Sequence, residues 1–276
     1  MPDKKSLLVR AHGLWTRIST TELGLIAAGI AFFSFLAVFP AMAAVIAIWG
    51  FASDPGVIRE QMERLADFLP PEAYALLYTQ VQALLAANDS RLGWATVFST
   101  LLAIWSARAG VAALIRGLNA IYGLPGRGGA LHLLRALVLT FVLVGLALCA
   151  LVLAVVTPLV LGFLPLGPAQ AAALELVNFG LGLLLIVVAI AIVYQLGPNH
   201  RAGRRPPLVT RGLLIAVVLW AVASRGLVFY LANFGAYNQV YGSIGAVVAL
   251  LLWFYLSAYA VLLGGAVDAE RGPRLQ

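Results

Sequence analysis

Charge is what this sequence has least of. Only 11% of its 276 residues are charged, whereas soluble globular domains carry about 25%. Hydrophobic residues make up 62% of the chain, and its mean hydropathy is +0.98. A large water-soluble core does not account for this composition, because its exterior would need many more charged side chains. The composition therefore excludes a soluble globular protein and indicates burial in a lipid bilayer.

Cysteine and clustered metal ligands are equally scarce. The single cysteine, Cys149, excludes an intramolecular disulfide, and its apolar surroundings in the sequence predict packing as a small apolar residue. His12, His132 and His200 lie far apart, without the spacing or neighbouring carboxylates of a metal site. The glycine-rich stretch 123–129 lacks the closing Gly-Lys-Ser/Thr of a phosphate-binding loop. We therefore expect no metal, no cofactor and no catalytic centre, and predict that the protein is not an enzyme.

Long uncharged runs are what the chain does contain. The clearest, 242–267, has 26 residues without a charge and would extend about 39 Å as a helix, enough to cross a hydrocarbon core of roughly 30 Å. The sequence predicts an all-α polytopic membrane helix bundle with six transmembrane helices, forming one membrane domain over residues 1–276. The predicted spans are 23–51, 92–107, 133–164, 173–196, 208–231 and 242–267.

The segment between the first two spans, residues 54–88, is the one sizeable polar part. Asp54 suits a helix N-cap with Pro55 at the first helical position, and Pro70 and Pro71 divide two stretches whose apolar residues recur every three or four positions. This pattern predicts an amphipathic helical hairpin in the first external loop. The hairpin either caps the bundle, which we favour, or lies in the membrane interface.

The basic residues occur in short clusters that alternate with the spans. A net charge of +7 would suggest nucleic acid in a soluble protein, but this distribution is typical of orientation against anionic lipid, so the bilayer is the expected partner and no nucleic acid is expected. Fourteen of the 18 basic residues fall on the side of the N-terminus, which predicts that both termini are cytoplasmic. They are Lys4, Lys5, Arg10, Arg17, Arg108, Arg116, Arg127, Arg135, Arg201, Arg204, Arg205, Arg211, Arg271 and Arg274.

Several motifs, in this order and spacing over nearly the whole chain, resemble the YihY/BrkB family of bacterial inner-membrane proteins, some of which carry the older label ribonuclease BN. The resemblance implies a six-helix bundle in the bacterial inner (plasma) membrane, in a family for which transport has been suggested. The motifs are residues 27–40, Ser106 with Gly110, residues 117–123, Tyr237 with residues 241–242, and residues 262–265.

The chain departs from the family pattern at three positions. Phe32 stands where a tyrosine is usual, and Ala37 where a serine is usual. Ala266 occupies a position where the family often has glutamate, so a role for that carboxylate does not carry over to this chain.

Arg225, inside the fifth span, is the leading candidate for a functional residue. A charge in a membrane helix is costly and usually faces the bundle interior or a water-filled cavity. With Tyr237, Asn238 and Tyr241 it would form a polar path near the outer surface. The alternative is that its long side chain reaches the interface. Asp268 lies at the C-terminal end of the last helix, where the helix dipole disfavours an anion, and we expect it to pair with a cytoplasmic arginine.

These observations favour a permease-like transporter of a small solute or ion. The alternative is a non-transporting envelope scaffold, or a virulence or serum-resistance type of factor, that acts through the external hairpin. A membrane-bound nuclease is the least favoured hypothesis. Small residues such as Ala27 and Ala31 allow close helix packing, either within the bundle or in a homo-oligomer, and the sequence does not separate the two.

Overall fold

A computed structural model describes residues 13, 16, 18–52, 78–79, 82, 91–126, 129–163, 167–200, 207–233 and 243–271. The regular structure in these ranges is helical throughout and includes no strand, which confirms the predicted all-α class. In these ranges six long helices follow one another, and each overlaps one of the predicted apolar runs. They are α1 (Leu23–Ala52), α2 (Arg91–Tyr122), α3 (Ala130–Phe163), α4 (Pro168–Leu196), α5 (Arg211–Asn233) and α6 (Ser243–Arg271).

The helices have the length and composition of membrane spans. In α1 the apolar part with described side chains, Leu23–Val38, is shorter than a span, although the helix itself has 30 residues. The protein is thus a multi-pass membrane helix bundle, as predicted. Among the described residues, five stretches are each long and apolar enough to cross a bilayer: Val97–Tyr122, His132–Ala150, Ala172–Leu196, Arg211–Tyr230 and Val247–Glu270.

Helix α2 is longer than the apolar run at 92–107 suggests. It continues to Tyr122, so Arg108 and Arg116 belong to a helix rather than to a connecting segment. It ends at Gly123, whose φ of 64° lies in the left-handed region. The N–H of Leu124 donates to Asn119 O at 2.8 Å, and that of Gly123 to Ala120 O at 3.2 Å, the two bonds of a Schellman cap.

The predicted external hairpin at 54–88 lies almost entirely outside the described residues. Tyr78, Thr79 and Gln82 are described and are helical.

The chain forms two compact units. The smaller is Phe33–Ala107, where Phe33 and Trp105 meet edge to face with ring centroids 6.4 Å apart. The larger comprises Met1–Phe32 and Arg108–Gln276. It contains helices α3 to α6, the first turns of α1 and the last turns of α2.

The larger unit has a dense core. Leu118 of α2, Leu213 of α5 and Leu262 of α6 are completely buried in it, together with Ala27 of α1. A smaller cluster of buried residues joins α2 to α3. The members of this second cluster are Ala112, Ile115, Ala136 and Leu139.

Candidate functional site

Of the four residues predicted to form a polar path, the structure describes one. Arg225 is exposed on α5, in line with the exposed side chains of Val222 and Phe229 at helical spacing. Tyr237, Asn238 and Tyr241 lie outside the described residues. The structure therefore places Arg225 on an outward, otherwise apolar face of α5.

A second polar region lies at the opposite end of α5. It is the end of the larger unit at which α2, α4 and α6 finish and α3 and α5 begin, and we call it the polar end. Its polar side chains come from α2, α3, α4, α6 and the segment that joins α4 to α5. They are Asn119, Tyr122, Arg135, Tyr194, Asn199, His200, Thr210 and Asp268.

Helices α5 and α6 approach each other at the polar end through glycines. A Cβ atom added to Gly264 would overlap the carbonyl oxygen of Gly212 and would lie 2.7 Å from Ala216 Cβ. A Cβ atom on Gly212 would likewise overlap the carbonyl oxygen of Gly264. Because the obstacle is backbone in both cases, the two helices reach this separation only with glycine at both positions.

Asp268, near the end of α6, completes the N-terminus of α5. Its Oδ1 accepts from the N–H of Gly212 at 2.7 Å, and its Oδ2 accepts from the hydroxyl of Thr210. Thr210 is the N-cap of α5, because its Oγ1 accepts from the N–H of Leu213 at 3.0 Å. The carboxylate thus meets the positive end of a neighbouring helix dipole, where an anion is stabilised.

The partner of Asp268 differs from the arginine expected from the sequence. An anion is unfavourable at the C-terminal end of its own helix, but α5 begins beside the end of α6 and presents its free N–H groups there. The Gly212 N–H and the Thr210 hydroxyl take the role that we assigned to an arginine.

Tyr194 joins α4 to α6. Its side chain is 2% exposed, and its hydroxyl donates to the carbonyl oxygen of Val261 at 2.6 Å. A Cβ atom on Gly264 would lie 2.5 Å from this hydroxyl. Gly264 therefore makes room for the tyrosine as well as for α5.

Asn199 links the segments of the polar end. Its N–H donates to Asn119 Oδ1 at 2.7 Å, and its Nδ2 donates to the carbonyl oxygen of Pro125 at 3.1 Å. Its Oδ1 accepts from Arg135 Nη1 at 3.1 Å. Both asparagines are buried, and satisfied buried amides of this kind fix one arrangement of the segments that they join.

Tyr122 and His200 form an aromatic pair beside this network, with ring centroids 5.1 Å apart and planes at 75°. The hydroxyl oxygen of Tyr122 is buried and has no hydrogen-bond partner. Tyr122 packs against the same buried cluster that contains Tyr194. The polar end thus brings a carboxylate, two phenols and an imidazole into one region.

Known proteins provide an independent comparison. The sequence pattern of the family described as virulence factor BrkB matches residues 14–275. The chain belongs to this family. The match confirms the resemblance to the YihY/BrkB proteins that the sequence motifs indicated. Family membership and the apolar helices agree in showing a membrane protein.

Two relatives are similar to this chain over most of their length, and a third is similar over a shorter segment. The ribonuclease-like protein YfkH of Bacillus subtilis strain 168 is 26% identical over 261 residues, covering 93% of this chain and 92% of the relative. A UPF0761 membrane protein of Tolumonas auensis is 28% identical over 271 residues, covering 94% and 83%. A UPF0761 membrane protein of Xanthomonas campestris strain B100 is 40% identical over 83 residues, or 30% of this chain and 19% of the relative. No solved structure matches the chain.

The described residues bring no three His, Cys, Asp or Glu side chains into a group that could hold a metal ion. The sequence pointed to Arg225 as the candidate site, and of the residues at the polar end only Asp268 was expected to make a polar contact. Two local signals pointed to that end: Thr210 directly before a helix that begins Arg-Gly, and the Gly264-Gly265 pair inside the last span.

Proposed function

We propose that this chain is a permease-like transporter of a small polar solute or ion in the bacterial inner membrane. One observation supports the proposal most directly. The polar end gathers partly or fully buried polar groups from the ends of membrane helices, including Asp268, Tyr194 and Asn199. Polar groups are costly in lipid, and those that face the interior of a helix bundle commonly mark solute and ion pathways.

Packing by itself accounts for part of this cluster. Thr210 and Asp268 cap α5, and Asn199 ties together two connecting segments. Packing does not account for Tyr122, whose buried hydroxyl bonds to nothing in the protein. A pathway supplies a reason for a polar group that the fold itself leaves unsatisfied.

We also propose that the polar end faces the cytoplasm and that both chain termini lie on that side. Arg116, Arg135 and Arg211 belong to helix segments at this end, and positively charged residues accumulate on the cytoplasmic side of membrane proteins. C-terminal fusions test this orientation: fluorescence from a green fluorescent protein is expected, without activity from an alkaline phosphatase fusion. The reverse result would place the polar end outside.

Transport itself is tested with purified protein in liposomes on a solid-supported membrane. Jumps in the concentration of ammonium, alkylammonium, alkali metal and carboxylate salts should produce currents above those of empty liposomes for at least one class. Osmotic swelling covers uncharged solutes. If protein with native mobility in size-exclusion chromatography gives neither currents nor swelling for any class, the transporter proposal is wrong.

A nuclease is a second candidate because one relative is named as ribonuclease-like. Purified protein is incubated with labelled RNA, with and without Mg²⁺, Mn²⁺ or Zn²⁺. We expect that no ribonuclease activity co-purifies with the protein through two chromatography columns. Cleavage that follows the protein and requires a metal would establish the enzyme and displace the proposal.

A non-transporting envelope factor is a third candidate, because the family is described as a virulence factor. This function would depend on the external loop. Deletion of residues 56–88 would then remove the phenotype of the gene, while substitutions at the polar end would leave it intact. The opposite pattern is expected for a transporter.

A further inference from the structure

Arg225 differs from the other charged residue of α5, Arg211, in its depth in the membrane. Arg211 begins the apolar stretch of α5, and Tyr230 ends it. Along the helix axis, Arg225 lies about 21 Å from Arg211 and about 7 Å from Tyr230. The guanidinium therefore belongs to a residue below the membrane surface that is opposite the polar end.

The face of α5 that carries Arg225 is directed away from the bundle. On the packed side at this level, Leu227 is buried and Ser224 accepts a hydrogen bond from Trp253. At about 100° of rotation per residue, Arg225 and four large apolar residues share an arc of about 80° on the other side. More than half of the surface of each apolar residue is exposed, and we call these four the α5 strip: Leu214, Val218, Val222 and Phe229.

A guanidinium on such a face requires an anion. It stays charged at any ordinary pH, and a charge in hydrocarbon is costly. Within the described part of the chain, Arg225 makes no hydrogen bond or ion pair. Extension to the surface works against helix geometry, because side chains lean toward the helix N-terminus, which here is the polar end. An anion that reaches the guanidinium from the surface therefore stabilises it better than extension alone.

A phospholipid supplies the required anion together with apolar chains. A phosphate can accept two parallel hydrogen bonds from a guanidinium. From Arg225 to Leu214 the α5 strip extends about 16 Å, close to one leaflet of a hydrocarbon core of roughly 30 Å. Nothing lies within 4 Å of a Cβ atom added to Gly226, so there is space for a headgroup beside Arg225. A headgroup with its own cation would compete for the phosphate, which favours a lipid of net negative charge.

We propose that Arg225 and the α5 strip form a binding site for one anionic phospholipid. The headgroup phosphate contacts the guanidinium, and an acyl chain lies along the strip toward the polar end. The site is at the other end of α5 from the polar end, so it does not depend on the transport function proposed above.

The experiment measures the apparent melting temperature of protein purified in dodecyl maltoside, with increasing mole fractions of dioleoylphosphatidylglycerol or dioleoylphosphatidylcholine in the micelles. A lipid that binds the folded state stabilises it, so the wild type should respond to phosphatidylglycerol at lower mole fractions than to phosphatidylcholine. Arg225→Gln should raise the mole fraction of phosphatidylglycerol that gives half of the maximal increase about tenfold, as expected for lost hydrogen bonds between charged groups.

Two further variants separate this site from general surface charge. Arg211→Gln removes the same charge from the opposite end of α5 and should keep the wild-type response. Arg225→Lys keeps the positive charge and should recover most of the response. Equal responses of Arg225→Gln and Arg211→Gln, or an Arg225→Lys protein as weak as Arg225→Gln, would overturn the proposal.

Other partners of Arg225 give different results. Without lipid, Arg225→Gln should melt with the wild type, whereas a lower melting temperature would reveal a partner within the chain. Light scattering should show the same mass for both proteins, whereas a dimer that is lost in Arg225→Gln would assign the guanidinium to a second copy. Sodium phosphate alone should not stabilise the wild type, whereas stabilisation that depends on Arg225 would indicate a site for a free anion. Each of these contrary results would reject the lipid site.

Discussion

The two halves of α5 show how differently one membrane helix can be held. Its first turns are fixed by backbone contact with α6 at Gly212, by the N-cap Thr210 and by the Asp268 carboxylate. Farther along, Arg225 lies on an exposed apolar face, beside Val222, which is 64% exposed. The charged residue is the conspicuous one in the sequence, but glycine and threonine make the dense contacts.

This contrast indicates which residues determine how α5 packs against its neighbours in the bundle. Two helices without side chains at their point of contact bring their backbones together, so a short side chain such as Thr210 or Asp268 can reach the neighbouring helix end. In the second half of α5, the contact with α6 includes a side-chain bond from Trp253 Nε1 to Ser224 Oγ at 3.2 Å. Four substitutions test whether the halves differ as described.

The largest effect is expected for Gly264→Ala. The new methyl group would overlap the backbone of Gly212 and press on Tyr194, so the helices must separate. We expect a loss of at least about 3 kcal/mol, or no folded protein, because overpacking against backbone has no cheap relief. Fluorescence-detected size-exclusion chromatography and the apparent melting temperature measure the loss.

Gly226→Ala on the exposed face of α5 is the matched control, and nothing lies within 4 Å of its added Cβ. That control should be neutral or slightly stabilising. Equal behaviour of the two variants would contradict the close α5–α6 contact.

Asp268→Ala should have the next largest effect. It removes the acceptor of the Gly212 N–H and of the Thr210 hydroxyl, and leaves the N-terminus of α5 without its anion. Hydrogen bonds to charged groups contribute about 1.5–3 kcal/mol, and we expect a loss in that range. Thermal melting in detergent measures it. Thr210→Ser keeps both bonds of the threonine hydroxyl and should stay close to the wild type. A stable Asp268→Ala protein would show that Thr210 alone is a sufficient cap.

Asn199→Ala should destabilise the protein by about 1–2 kcal/mol, because the bonds to Pro125 and Arg135 are lost. Asn199→Asp separates these two contributions. It keeps an acceptor for Arg135 but places an oxygen where Nδ2 donated to the carbonyl oxygen of Pro125. Its melting temperature should lie between those of the wild type and Asn199→Ala. If both variants melt with the wild type, the asparagine does not hold the connecting segments together.

The smallest effect on stability is expected for Arg225→Ala, within about 0.5 kcal/mol, because the residue is exposed and away from the α5–α6 contact. Solute flux in liposomes then tests whether the pathway runs through the polar end or past Arg225. Unchanged flux is expected if the polar end carries the pathway. Loss of flux at unchanged stability, with recovery in Arg225→Lys, would instead favour the path through Arg225, Tyr237, Asn238 and Tyr241.

Much of the fold could be predicted because a bilayer imposes a simple rule on the sequence. Apolar runs located each of the six long helices in the part of the chain that the structure describes, since backbone groups in lipid must bond within a helix. The extent of α2 was harder to predict. Arg108 and Arg116 interrupt its apolar run, but the helix continues until Gly123 allows a left-handed turn.

The polar end could not be predicted in the same way because its contacts join distant parts of the chain. Gly212 and Asp268 are 56 residues apart, and Asn119 and Asn199 are 80 apart. No periodicity connects such pairs. The sequence suggested that Asp268 needs a cation, but not that the start of an antiparallel neighbour would provide the positive charge.

The cap on α5 has a consequence for the order of assembly. Because α5 precedes α6 in the chain, the residue that completes its N-terminus belongs to a helix that is synthesised later. Until α6 arrives, the first N–H groups of α5 rely on Thr210 and on water at the interface. The N-terminus of α5 therefore gains its full set of acceptors only when α6 packs beside it.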